Sequence, residues 1–152
     1  MDLQIISYNS TGFNPAKADF IRFLVTSLKA NIFLVQEHFL LHNNVFKIQK
    51  EFSSFNSYIL PANKSNKSLS CGRPSGGLGI FWKHSYNKMI KIVKIPNSTR
   101  IQAIDFDNKI IIVNCYFPTD TQDNNFDDWE LIKCLETLSG IITAYPNHHI
   151  LI

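Results

Sequence analysis

The sequence feature that most constrains the fold of this chain is a short apolar run that ends in a carboxylate. Residues 32–35 are Ile-Phe-Leu-Val; they follow the turn-prone Asn31 and lead directly into Gln36 and Glu37. A continuous run of this length, with two β-branched members, is typical of a strand buried on both faces. Ligands collect at the carboxyl ends of strands in sheets with crossover helices, so Glu37 is a candidate for holding a metal ion or a reacting group. The alternative is that Glu37 only marks where the strand meets water.

The residues before this run predict a strand and a helix that complete a βαβ unit. Residues 3–8 have the pattern of a strand, Asn14 can cap a helix, and Pro15 suits its first turn. The helix is predicted to bury one apolar face, formed by Ala16, Phe20, Phe23, Leu24 and Leu28. Two parallel strands joined by a right-handed crossover end at the same edge of a sheet. We therefore expect Asn9 and Glu37 to emerge side by side.

The middle of the chain predicts its secondary structure less strongly. The sequence predicts a short helix at 44–52, a strand at 58–60 and a strand at 76–82. Residues 63–75 are rich in Ser, Asn, Gly and Pro and predict a surface loop, which is either simply solvated or able to contact phosphate through its cations, Lys64, Lys67 and Arg73. The glycines of 76–79 allow a close approach of another group, but they match no nucleotide-binding pattern.

Three consecutive strands are predicted in the second half, at residues 89–95, 100–106 and 109–115. A tight turn at Asp107-Asn108 joins the last two, so these strands are antiparallel. The third strand holds another continuous apolar run and ends in Asn114, Cys115 and Tyr116. Polar functional groups thus follow three different strands.

The end of the chain predicts one more helix and one more strand. Asp127 and Glu130 resemble a capping box at the start of the helix, and Tyr145-Pro146 closes it. Its predicted apolar face consists of Leu131, Leu135, Leu138 and Ile142. His148 and His149 are predicted to be exposed, and a strand follows at 150–152.

Composition indicates one globular domain over residues 1–152, since 45% of the residues are hydrophobic. The net charge of +3 indicates only a mild preference for anionic partners. The three cysteines, Cys71, Cys115 and Cys134, show no metal-binding spacing and predict reduced thiols. With no apolar stretch long enough to span a bilayer and no signal-peptide pattern, we expect an intracellular protein that is neither secreted nor membrane-bound.

Four motifs in order carry a family resemblance: Tyr8-Asn9-x-x-Gly12, Leu34-Val35-Gln36-Glu37, Gly76-Gly77-Leu78-Gly79-Ile80 and Val113-Asn114-Cys115-Tyr116-Phe117-Pro118. Together they resemble the endonuclease/exonuclease/phosphatase family. Within it, the chain is most similar to the target-nicking endonuclease domain of non-LTR (LINE-type) retrotransposons, which often shows a stretch like Gly72-Arg73-Pro74-x-Gly76-Gly77. The similarity extends from the first strand to the last residue.

This resemblance implies a four-layered α/β sandwich and hydrolysis of phosphodiesters with Mg²⁺ or Mn²⁺. Glu37 would be the metal ligand, and Asn9 would bind the metal's water shell or the scissile phosphate. Tyr116 would donate its hydroxyl to a phosphate oxygen, with Asn114 as support. The implied partner is DNA, and a downstream reverse transcriptase and a nuclear location are consistent with it. Independently of the resemblance, the cations Lys64, Lys67, Arg73 and Arg100 are candidate nucleic-acid contacts by their charge, above all in a non-catalytic remnant.

The departures from the family pattern are as informative as the matches. In the family, the strand matching 150–152 leads into Gly-Asp-Phe-Asn, whose aspartate activates water, and a Ser-Asp-His motif follows later. Neither motif occurs in these 152 residues. We therefore expect a truncated domain with an incomplete second half, inactive by itself. Three alternatives remain open: a non-catalytic remnant that binds nucleic acid, another phosphodiesterase or phosphatase of the family, and a fragment without function.

Overall fold

Eight strands and three α-helices make up the described part of the chain. The computed structural model describes residues 2–63, 74–118 and 128–152. In chain order the elements are β1 (Ile5–Asn9), α1 (Pro15–Ser27), β2 (Ile32–Gln36), α2 (Phe46–Glu51), β3 (Phe55–Leu60), β4 (Leu78–Lys83), β5 (Ile90–Val93), β6 (Ile101–Phe106), β7 (Ile110–Cys115), α3 (Asp128–Ala144) and β8 (His149–Leu151). The predicted contacts of Lys64, Lys67 and Arg73, and the predicted helix start at Asp127, lie outside the described residues. No described helix is long and apolar enough to cross a membrane.

The strands form two four-stranded sheets, in the orders β1-β2-β4-β3 and β5-β6-β7-β8. β1 and β2 are parallel, with Asn9 opposite Gln36, as the βαβ prediction requires. The Asn14 side chain accepts the backbone N–H of Lys17 at 3.0 Å and caps α1, with Pro15 at its first position. β5, β6 and β7 are antiparallel, and β8 joins β7 in parallel. The predicted βαβ unit and the predicted antiparallel second half are therefore confirmed.

Three separate apolar cores show that the chain is built in four layers. One core, which includes Ile21 and Phe33, lies between the first sheet and α1 and α2. A second, which includes Leu34 and Ile112, lies between the two sheets. The third, which includes Val113, lies between the second sheet and α3. This is the predicted four-layered α/β sandwich, and β2 is buried along its whole length as expected.

The predicted apolar face of α1 is wrong. The residues that α1 buries are Ala18, Ile21 and Val25, whereas Phe23 is 63% exposed and Phe20 45% exposed. Both sets have helical spacing, so periodicity alone allows either. Contact with the bulky aromatic face of the sheet, where Phe33 and Phe81 stack at 4.5 Å, leaves room for the set with the smaller side chains.

The prediction for α3 is half correct. Leu138 is buried as expected, but its buried neighbours are Cys134 and Ile141, whereas Leu135 and Ile142 are exposed. The helix is apolar over more than one stripe, and the position of the sheet beneath it selects which stripe is covered.

The prediction that both late histidines are exposed is also wrong for one of them. The side chain of His148 is only 18% exposed, its Nε2 lies 3.7 Å from Oδ1 of Asp105, and its ring packs edge-on against Tyr145. His149 is exposed and begins β8, opposite the start of β7. Both histidines therefore lie at the end of β7 remote from Asn114, because β8 runs parallel to β7 and pairs His149 with Ile110.

Within the described residues, one side of the sandwich is uncovered. The edge strands β1 and β8 line a cleft of about 260 Å³ whose walls include Ile6 and Leu151. Ile152 is 59% exposed beside it, and Phe20 contacts Tyr8 of β1 with half its surface in water. In the part of the chain that the structure describes, each sheet thus has an unpaired edge next to exposed apolar side chains, a combination that favours pairing between molecules.

This uncovered side predicts low stability for residues 1–152 by themselves. Each large apolar side chain left in water forfeits about 1.5–3 kcal/mol, and a domain's whole margin is only about 5–15 kcal/mol. We expect a melting midpoint below about 55 °C with concentration-dependent aggregation, measured by circular dichroism and size-exclusion chromatography. A charge on the edge strand, Leu151→Lys, should reduce the aggregation. A monomer that melts sharply above about 55 °C would contradict the prediction.

Candidate active site

The parallel pairing of β1 and β2 brings Asn9 and Glu37 into contact. The Asn9 Nδ2 amide donates a hydrogen bond to Oε1 of Glu37 at 3.0 Å. The same amide is oriented from its other end, where Oδ1 accepts the backbone N–H of Thr11 at 3.0 Å. Oε2 of Glu37 accepts no hydrogen bond from the described residues, and the side chain is half-buried. This carboxylate therefore has one oxygen fixed by an amide and one available.

A buried chain of amides lies directly behind Glu37 and ties the two sheets together. Nε2 of Gln36 donates to Oγ of Ser7 at 2.9 Å and to Oδ1 of Asn114 at 2.6 Å. Nδ2 of Asn114 donates to Oε1 of Gln102 at 3.0 Å, and Nε2 of Gln102 donates to the carbonyl of Tyr58 at 3.1 Å. Buried polar groups are tolerated when each has a partner. The network therefore fixes the strand end that carries Glu37 against the second sheet.

Tyr116 follows β7 at the same end as Asn114. Its backbone N–H donates to the carbonyl of Arg100 at 2.9 Å, and the Arg100 guanidinium lies 5.3 Å from the centre of its ring. Arg100 is also paired with Glu130 at 2.6 Å. Within the described residues, no hydrogen bond joins the Tyr116 hydroxyl to Asn9 or Glu37. Its convergence with them on one phosphate remains a prediction, as does a nucleic-acid contact by Arg100.

His38, which the motifs did not single out, is completely buried beside Glu37. Its Nδ1 accepts the backbone N–H of Leu40 at 3.0 Å, so the proton lies on Nε2, which faces the carbonyl of Leu60 at 3.1 Å. Burial lowers the pKa of His38, opposed by its hydrogen bonds to backbone carbonyls. A Cβ atom on Gly77 would lie 2.5 Å from the ring. The group that the glycines were predicted to let approach is therefore the His38 ring. The pair Gly76-Gly77 was the sequence signal that could have pointed to a buried group at this position.

The side chains around Glu37 offer few ligands for a divalent cation. In the described ranges, no group of three or more His, Cys, Asp and Glu side chains could hold a metal ion. Mg²⁺ keeps several waters and is usually bound by one or two carboxylates together with substrate phosphates. The Glu37 carboxylate with the neighbouring Asn9 amide fits that pattern. His38 does not contribute, because both ring nitrogens are used by the backbone.

Comparisons with known proteins give structural relatives only. No protein-family model matches the sequence, and no curated protein matches it. An AP endonuclease from Leishmania major is similar in structure, with a TM-score of 0.66 and 14% identity over 91% of this chain. The 3′ phosphatase NExo from Neisseria, bound to a product DNA hairpin, has a TM-score of 0.64 and 13% identity over 93% of this chain. TDP2 from Caenorhabditis elegans has a TM-score of 0.59 and 16% identity over 99% of this chain.

These similarities establish the fold, since the identities are low. The described residues have the α/β sandwich of nucleases and phosphatases of the AP endonuclease and NExo kind, as the resemblance implied. The chain spans about half the length of these relatives, at 47%, 53% and 48% of the three chains.

Proposed function

We propose that this chain is part of a divalent-metal-dependent phosphodiesterase that cleaves DNA. The observation that carries the proposal is the contact between Asn9 and Glu37 at the carboxyl ends of two parallel strands. Ligands collect at such strand ends. Among structures with this fold are an AP endonuclease and a 3′ phosphatase bound to a DNA hairpin, which supports DNA as the substrate class.

Each residue of the site has a distinct role in the proposal. Glu37 holds Mg²⁺ or Mn²⁺ through its carboxylate, and a bound cation of this kind neutralises charge that develops on the scissile phosphate. Asn9 orients the Glu37 carboxylate and offers its amide to a metal-bound water or a phosphate oxygen. Tyr116 donates its hydroxyl to a second phosphate oxygen and helps hold the phosphate in line for attack. Asn114 supports the site by holding Gln36.

We further propose that the enzyme is a retrotransposon endonuclease of the non-LTR type. The support is the order of the four strand-end motifs and the Gly-Arg-Pro stretch before the glycine pair, at 72–77. A reverse transcriptase in the same element and a nuclear site of action belong to this proposal. In it, the residues that activate the attacking water come from a following segment, so residues 1–152 bind the metal without completing the reaction.

Metal binding tests the proposal without requiring activity. We expect residues 1–152 to bind Mn²⁺, measured as the loss of the free-ion signal in electron paramagnetic resonance at low temperature, where the chain is folded. Glu37→Gln keeps the size of the side chain but removes the charge that a hard cation needs, and it should abolish the binding.

The matched control removes the same charge elsewhere. Glu136 is an exposed carboxylate on α3, remote from the strand ends that carry Asn9 and Glu37, so Glu136→Gln should leave Mn²⁺ binding unchanged. Equal binding by Glu37→Gln and Glu136→Gln would refute the metal site. In that case a remnant that only binds nucleic acid becomes the better interpretation.

A further inference from the structure

We propose that His38 is the positioning residue that aims the Glu37 carboxylate, an inference that rests on the metal site proposed above. His38 touches neither metal nor phosphate in this scheme. It acts through the backbone on either side of it. The evidence is the conformation of the chain at 37–39, the hydrogen bonds around it and the fit of the imidazole ring beneath the glycine pair.

The chain turns sharply where β2 ends. Glu37 and Phe39 both have left-handed backbones, with φ of +53° and +57°. Non-glycine residues rarely adopt this region, and they stay there only when their surroundings hold them. Two such residues flank the fully buried His38. The direction of the Glu37 side chain therefore depends on what holds His38 in place.

Backbone hydrogen bonds hold this segment from two sides. The carbonyls of Glu37 and His38 accept the N–H groups of Gly12 at 2.6 Å and Phe13 at 3.0 Å. On the opposite side, the N–H of Phe39 donates to the carbonyl of Gly76 at 3.1 Å. The N–H of His38 also faces the carbonyl of Gly77 at 3.4 Å, so both peptides that flank His38 are held at their N–H and at their C=O, and the His38 ring packs against the segment that they form.

The ring is itself held in one position beside this segment. Hydrogen bonds to Leu40 and Leu60 hold both of its nitrogens, so it joins β3 to the segment after β2. Gly77 covers its face so closely that a Cβ there would lie 2.5 to 2.9 Å from three ring atoms. Real Cβ contacts do not reach such distances, so with any other residue at 77 the contact between this position and the imidazole must change. A displaced imidazole would rotate the adjoining Glu37 peptide and move its carboxylate.

Two neighbouring glycines provide a matched pair of variants. Gly76 and Gly77 both have positive φ, at +74° and +90°, so alanine is strained at either position. A Cβ at Gly76 meets no atom of the described residues within 4 Å, whereas a Cβ at Gly77 meets His38. The difference between Gly76→Ala and Gly77→Ala therefore isolates the push on the histidine.

We expect Gly77→Ala to weaken Mn²⁺ binding about 10-fold to 100-fold, the usual range for residues that orient a metal ligand. Gly76→Ala should bind nearly as tightly as the unsubstituted chain. A purely structural role would lower the melting temperature but leave the affinity of the folded molecules unchanged. Should Gly77→Ala fail to fold, His38→Asn replaces it, because asparagine can still accept the Leu40 N–H but does not reach the carbonyl of Leu60.

A second readout works without metal. The Asn9 side-chain amide gives a pair of NMR signals that report its hydrogen bond to Glu37. These signals should shift and broaden in Gly77→Ala or His38→Asn, and not in Gly76→Ala. Unchanged Asn9 signals and equal Mn²⁺ affinity in all variants would overturn the inference. If the unsubstituted chain binds no Mn²⁺ while the Asn9 signals still respond, the proposed metal site fails and the positioning of Glu37 by His38 stands.

Discussion

Residues 1–152 by themselves are expected to leave supercoiled plasmid DNA intact in the presence of Mg²⁺. In the proposed site Glu37 would hold a metal ion, but the resemblance places the aspartate that activates water in a Gly-Asp-Phe-Asn motif that these residues lack. Loss of a general base costs about 10²–10⁴ in rate, before the loss of other phosphate contacts is counted. The measurement is conversion of supercoiled to open-circular plasmid on agarose gels, with an active AP endonuclease as the positive control.

If the chain does nick plasmid DNA, the Glu37→Ala variant shows whether the activity belongs to this site. Mg²⁺-dependent nicking that disappears in Glu37→Ala would contradict the prediction, because it would require another base within the described residues or in the segments outside them. Nicking that survives in Glu37→Ala would point to a contaminating nuclease. Inactivity combined with Glu37-dependent Mn²⁺ binding is the expected pair of results for a chain that holds the metal but does not activate water.

Asn114→Ala is expected to destabilise the chain by about 2–5 kcal/mol. Its amide nitrogen lies within 3.1 Å of three acceptors, the carbonyls of Val35 and Gly79 and the side chain of Gln102, and its oxygen accepts from Gln36. Removing it leaves buried groups without partners, at a cost of about 1–3 kcal/mol for each. A domain's margin is only about 5–15 kcal/mol, so a loss of this size removes a large part of the stability of the chain.

Urea denaturation followed by tryptophan fluorescence measures this loss, with Asn87→Ala as the matched control. Asn87 is an exposed amide whose oxygen accepts from Nδ2 of Asn56 at 3.0 Å and from the indole of Trp82 at 3.4 Å. Its loss should cost no more than about 1 kcal/mol, since water replaces the missing partner. An Asn114→Ala chain as stable as Asn87→Ala would show that the buried amides do not hold the sheets together.

The strands and their ends were predictable because their signals are local. The run at 32–35 is buried on both faces as predicted, and Glu37 follows it directly. The turn at Asp107 and Asn108 has the two positive φ values that such a hairpin requires. The meeting of Asn9 and Glu37 followed from one topological rule, the parallel crossover of a βαβ unit. These features depend on residues within one element or in adjacent ones.

Tertiary structure alone decided which helix faces are covered and what surrounds Glu37. Phe23 and Val25 each belong to an apolar set with helical spacing, so the sequence does not show which set is buried. The aromatic surface of the sheet beneath α1 determines that it is Val25. The position of His38 under Gly77 joins residues 39 apart in sequence, and the bond between Gln36 and Asn114 joins residues 78 apart. Such contacts leave no periodic signal, because they depend on where two sheets dock and not on the propensity of either segment. The sequence by itself therefore determined the elements and the carboxylate, whereas packing between layers determined how that carboxylate is held.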